Sequence, residues 1–226
     1  MMSISDKPTM PDIELYYSPG ACSLAPHILL YEVGAKFTLR MEKVGKFSPE
    51  FLFLNPKARI PVLTIGDALI TENVAIMAAI SNFAPEKLLM GNSNTIEVVR
   101  VAEWLTWLSG TLHGNAFALL LRPERFSDNK ANYEDLKAKG KAWVQSCFET
   151  IEERLPGEHA VGDRFTAVDA FLFVFYRWAT INFSWNLEKS YPTYTRLVIS
   201  VASRPSTIAA LAAEGIFSTV GVQHTE

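Results

Sequence analysis

Apolar and polar positions follow one rhythm in the first third of the chain and another beyond it. Residues 13–17 form a short β-type run that ends at Tyr17. A turn at Ser18-Pro19-Gly20 follows, and Leu24, Ile28 and Tyr31 then share one helical face up to Gly34. Residues 37–42 alternate apolar and polar, the pattern of a half-buried strand, and residues 48–54 read as a short helix closed by Asn55-Pro56. Residues 60–65 and 68–71 form a hairpin pattern around Gly66-Asp67, and Pro61 beside it predicts a turn-locked or cis bond ahead of the strand. Val74, Ile76, Met77 and Ile80 add a helix, so the order reads βαβαββα.

After a polar linker at 85–94 the period of two disappears. Residues 95–121 carry Trp104, Trp107, Leu108 and Leu112 at helical spacing, and Pro123 stops the run. Residues 132–155 form an amphipathic helix ending at Pro156-Gly157. Thr166-Ala167-Val168-Asp169 is a capping box, in which hydroxyl and carboxylate satisfy free helix amides reciprocally. The residues behind it, 170–176, are apolar almost all round, which predicts the buried centre of this half. Two shorter helices at 192–202 and 205–214 complete it. The expected organisation is a loose tail at 1–12, an α/β domain at 13–84, the linker, and an all-helical domain at 95–226.

Composition narrows the function classes. A net charge of -3 with 20% charged residues does not suit a nucleic-acid or membrane-surface binder. Residues 1–12 lack the pattern of a signal peptide, and the longest apolar run is too short to span a bilayer. Cys22 and Cys147 stand far apart and make neither a disulfide framework nor a metal-ligand set, so no metal is expected. Free cysteines suit a reducing compartment, here the cytoplasm.

The candidate chemistry gathers at the start of the first helix. Tyr17, Cys22 and Ser23 surround its unpaired amides, Ser23 as the expected cap and Pro26 in the first turn. Such a terminus stabilises an anion by about 0.3–1 kcal/mol and lowers the pKa of a thiol lying over it. Each of the three also has a plainer reading: a buried free thiol, a strand-end packing residue, a simple cap. Asn73 is the expected cap of the helix at Val74, and Cys147 reads as packing.

The strings YYSPGACSLAPHI, NPKARIPVL, TENVAIM, TAVDAFLF, RWA and LAAEG span nearly the whole chain in order. Together they resemble the cytosolic glutathione transferases, most closely the bacterial beta class with its cysteine at the first helix. The resemblance implies a thioredoxin-like N-terminal domain that binds glutathione, an all-helical domain that shapes the second-substrate pocket, and a homodimer. It implies conjugation of glutathione, a co-substrate, to small apolar electrophiles in detoxification. Thioltransfer, isomerisation or dehalogenation at the same site is the alternative, as is a non-catalytic ligand-binding module.

The ligand's chemistry suits the matching positions. Glu72 takes the ammonium, and the Asn73 side chain with the neighbouring amides takes the adjacent carboxylate. Ile60, ahead of Pro61, offers backbone groups to the cysteinyl segment as one more strand would. Cys22, Tyr17 or Ser23 would lie near the sulfur, and His113 is the donor expected to face it across the cleft. Trp178 is a candidate for lining the acceptor pocket. Gly114 replaces a lysine that often follows the histidine, and Arg59 replaces a glutamine, which makes Arg59 a candidate for the glycyl carboxylate.

Overall fold

The computed structural model describes residues 12–183 and 185–217; residues 1–11, which hold nearly all of the expected tail, lie outside the described residues. Strand β1 (Ile13–Tyr17) leads into α1 (Leu24–Glu32), β2 (Thr38–Met41), α2 (Pro49–Leu54), the hairpin β3 (Val62–Ile65) and β4 (Ala68–Thr71), and α3 (Asn73–Ser81). The sheet order is β2-β1-β3-β4, with β1 parallel to β2 and antiparallel to β3. This is a thioredoxin-like sheet. Burial alternates along β1, since Ile13, Leu15 and Tyr17 point into the core. At the sheet edge β2 is largely exposed, because only its parallel partner covers it.

A helical half follows: α4 (Glu97–Trp107), a π-helical stretch (Leu108–Phe117), α5 (Ala118–Leu121), α6 (Tyr133–Arg154), α7 (Ala167–Asn182), α8 (Leu187–Ser190), α9 (Pro192–Ala202) and α10 (Pro205–Glu214). The expected single helix over 95–121 is therefore one rod whose middle changes hydrogen-bond step, with the Ala118 amide reaching back to the carbonyl of His113. α7 is buried along nearly its whole length. Its capping residue Asp169 accepts from the amides of Thr166 at 2.7 Å and Ala160 at 2.8 Å, and burial pushes its carboxyl up to about 6. No helix among the described residues is long and apolar enough to cross a membrane.

The two halves meet along α1. It packs on α3 beside the sheet and on α7 and α10 of the helical half, with Leu24, Ile28 and Leu29 fully buried. A cleft opens where the amino end of α1 faces the π-helical stretch.

Candidate functional site

The loop between β1 and α1 is fixed from several sides before any ligand arrives. Ser23 Oγ donates to the Ser18 carbonyl and accepts from its amide, both at 3.3 Å, which closes the loop on itself. Ser23 is fully buried and makes no side-chain cap on α1, which corrects the expected capping role: its hydroxyl is spent on Ser18. The Gly20 carbonyl accepts from Trp178 Nε1 at 2.8 Å and the Gly20 amide donates to Glu214 at 2.7 Å. Gly20 sits at φ +70°, a conformation that glycine adopts without strain.

Cys22 ends this loop and lines a cleft of about 1030 Å³. Its thiol donates toward the Ile60 carbonyl at 3.5 Å. Burial pushes the thiol up to about 12, against weaker help from the amides of Cys22 and Ser23. The expected lowering of its pKa by the helix terminus is thus reversed: desolvation outweighs the few oriented amides. Cys22 is a neutral donor at neutral pH. Tyr17 does not line the cleft; it is buried on the core side of β1, and its ring lies 5.9 Å from that of His27. The β pleat explains this, since Tyr17 shares the inward face with Ile13 and Leu15.

Opposite Cys22, the bond between Ile60 and Pro61 is cis, and both residues line the cleft with Arg59, Glu72 and Asn73. Glu72 has φ +71°, unusual for a residue with a side chain, and its exposed carboxylate pairs with Lys57. Asn73 is the first residue of α3 and does not cap it. Its Nδ2 donates to the Cys22 carbonyl at 3.0 Å, and its Oδ1 is buried without a partner among the described residues. The donor expected for a carboxylate is committed to the Cys22 loop, which leaves an acceptor and the α3 amides at this corner.

From the helical side, His113 projects out of the π-helical stretch into the same cleft. Its ring packs near Trp178 at 5.3 Å and Phe175 at 5.9 Å. Burial, with the cations of Arg125 and Arg59, pushes its pKa down to about 4, so the imidazole is neutral and free to donate one N–H. Trp178 lines the cleft as well, held by its bond to Gly20 and by Phe117 and Phe175.

Comparison with known proteins fits this geometry. Residues 11–82 match the family described as glutathione S-transferase, N-terminal domain. The glutathione S-transferase GstA of Escherichia coli O157:H7 is 35% identical over 210 residues, 90% of this chain and the full length of that protein. The chain belongs to the glutathione S-transferase family. It is an enzyme of that family, of bacterial type. A beta-class glutathione S-transferase from Sphingomonas chungbukensis superposes with a TM-score of 0.79 at 32% identity, covering 90% of this chain and 100% of that one. A sphingomonad glutathione S-transferase complexed with glutathione gives 0.78 at 31%, again over 90% and 100%.

Three features of this transferase were not foreseen from its sequence. Glu214, at the end of α10, holds Gly20 and also meets His27 Nδ1 at 2.8 Å, with both side chains fully buried. Arg177 lies beside it, its own pKa lowered by burial and partly restored by Glu214. Arg122 and Arg125, just past α5, line the cleft near His113. The buried Glu214 partners are 187 and 194 residues away in sequence, so no local spacing betrays them. Arg122 and Arg125 sit in an RPERF turn that reads as an ordinary solvated loop.

Proposed function

We propose that this transferase binds glutathione along the cleft with its sulfur between Cys22 and His113, and that the thiolate attacks an electrophile held on the helical side. The observation that carries this is the convergence on one cleft of Cys22, the Ile60-Pro61 edge, Glu72 and His113. Glu72 would take the ammonium, the α3 amides the γ-glutamyl carboxylate, Ile60 the cysteinyl backbone, and Arg59 the glycyl carboxylate. Trp178 and Phe117 supply apolar walls for the acceptor. Two neutral donors, the His113 imidazole and the Cys22 thiol turned away from the Ile60 carbonyl, would stabilise the sulfur anion without competing for its proton. Holding both reactants together supplies the rest of the rate.

A second reading, glutathione-dependent thiol–disulfide exchange, is favoured by one observation: Cys22 is a free thiol lining the cleft itself. Cys22→Ala separates the two, because loss of disulfide reduction without loss of aryl conjugation would assign Cys22 a redox role. We also propose a homodimeric, cytoplasmic enzyme acting in detoxification. The family resemblance and two free cysteines support this, and sedimentation at micromolar concentration tests the dimer. The glutathione reading is tested by calorimetry: wild type should bind, and Glu72→Gln should bind at least about tenfold more weakly. No heat in wild type, or no change in the variant, would overturn it.

A further inference from the structure

The charges on the cleft wall do not match those of the whole chain. The protein is net acidic at -3, yet the cleft is lined by Lys46, Arg59, Arg122 and Arg125 against only Glu72 and Glu124. One of those two acids, Glu72, is already paired with Lys57. None of the three arginines forms an ion pair among the described residues. Among the described residues Arg59 and Arg122 donate only to backbone carbonyls near them in sequence, Arg59 to Lys57 and Ala58 and Arg122 to Leu121. Burial lowers the pKa of Arg125, and Arg59 and Arg122 are close enough to lower it further, with Glu124 offsetting part of that repulsion. A like-charge cluster held open in this way is an anion site.

Glutathione, on the reading above, accounts for part of it. Its ammonium goes to Glu72, one carboxylate to the α3 amides, and the other to Arg59 beside Ile60. Arg122 and Arg125 are then left over, and they stand on the other wall. They follow α5, on the same segment as Leu121 and Phe126 and close to Phe117, all of which line the cleft.

We propose that the electrophile of this enzyme is an anion, an aromatic or apolar body carrying a carboxylate or similar group, with Arg122 and Arg125 binding the charge and Phe117, Leu121 and Trp178 the body. This inference rests on the transferase reading and replaces a purely apolar acceptor with an amphipathic one. Arg122 and Arg125 are then specificity residues for the second substrate. The guanidinium forks are suited to a carboxylate, and the charge would sit at the mouth while the reactive carbon points inward to the sulfur.

Two unreactive ligands that differ only in the charge, meta-dinitrobenzoate and meta-dinitrobenzene, test this by calorimetry on the enzyme with and without saturating glutathione. Dinitrobenzoate should bind at least about tenfold more tightly than dinitrobenzene to the glutathione complex, and added salt should erode the difference. In R122Q/R125Q the preference should vanish while glutathione affinity shifts less than about twofold. Equal binding of the two ligands by wild type would overturn the proposal. So would competition between dinitrobenzoate and glutathione, or a variant that loses glutathione instead, since either assigns the arginines to glutathione. If glutathione itself gave no heat, the transferase reading would fail separately, and the arm without glutathione would still decide the anion preference.

Discussion

At the scale of single residues the cleft presents two groups that are neutral at neutral pH, the Cys22 thiol and the His113 imidazole. For His113 the consequence is measurable. In the unfolded chain an imidazole takes up its proton near pH 6.5, but in the fold only near pH 4. Between those values the unfolded state binds more protons, so His113 costs stability as the pH falls, by about 2 kcal/mol at about pH 5. His113→Gln should flatten the stability profile across that interval, and nuclear magnetic resonance should find the wild-type ring neutral down to about pH 4. Glu72 gives the opposite trade. A side chain at φ +71° stores about 1–3 kcal/mol of backbone strain, and the residue is otherwise exposed. Glu72→Gly should therefore raise the denaturation midpoint while abolishing glutathione binding; a lower midpoint would show that the Lys57 pair outweighs the strain.

Among the elements, the π-helical stretch decides where His113 points. A change of step rotates everything beyond it relative to an α-helix, and π turns recur at functional positions for that reason. Gly140 of α6 lets the neighbouring helix come close: a Cβ there would lie 2.6 Å from the Leu120 amide and 3.0 Å from the Ala116 carbonyl. Gly140→Ala should destabilise by about 1–3 kcal/mol despite the better helix propensity of alanine, and should lower turnover by shifting the His113 segment. Unchanged stability and turnover would mean that α6 does not set this geometry. Much at this scale was legible in the sequence: β1, α1, the hairpin and α7 with its capping box follow directly from periods of two and 3.6 and from cap chemistry. The π step was not, because Trp104, Leu108 and Leu112 satisfy an ordinary helical spacing equally well. Nor was α8, four residues long and without a period of its own.

Across the whole molecule, the loop between β1 and α1 is held by the far end of the chain. Glu214 closes on Gly20 and His27, Trp178 on Gly20, and Asn73 on the Cys22 carbonyl, so α10, α7 and α3 together set the loop. Glu214→Ala would leave the Gly20 amide and the buried His27 imidazole without their acceptor, and would remove the carboxylate that faces the Arg177 guanidinium. Chemical denaturation should show a loss of about 3–5 kcal/mol; a loss under about 1 kcal/mol would mean that water or rearrangement replaces it. The position of Cys22, Ile60, Glu72 and His113 around one cleft followed from motif order. What sequence reading left open, packing against donor for Tyr17 and inert against activated thiol for Cys22, and the Ser23 hydroxyl it assigned to a cap, depends on burial, which residue identities alone do not report.

The central claim is that this cleft ionises the thiol of glutathione. A pH titration of the ultraviolet thiolate absorbance of the enzyme–glutathione complex reads it directly, and Cys22 stays silent because burial holds its own thiol up to about 12. The account predicts a midpoint about two units below the ordinary thiol value of about 8.5, moving back up by about one unit in Cys22→Ala as one donor is lost. A midpoint at the ordinary value in wild type would contradict it.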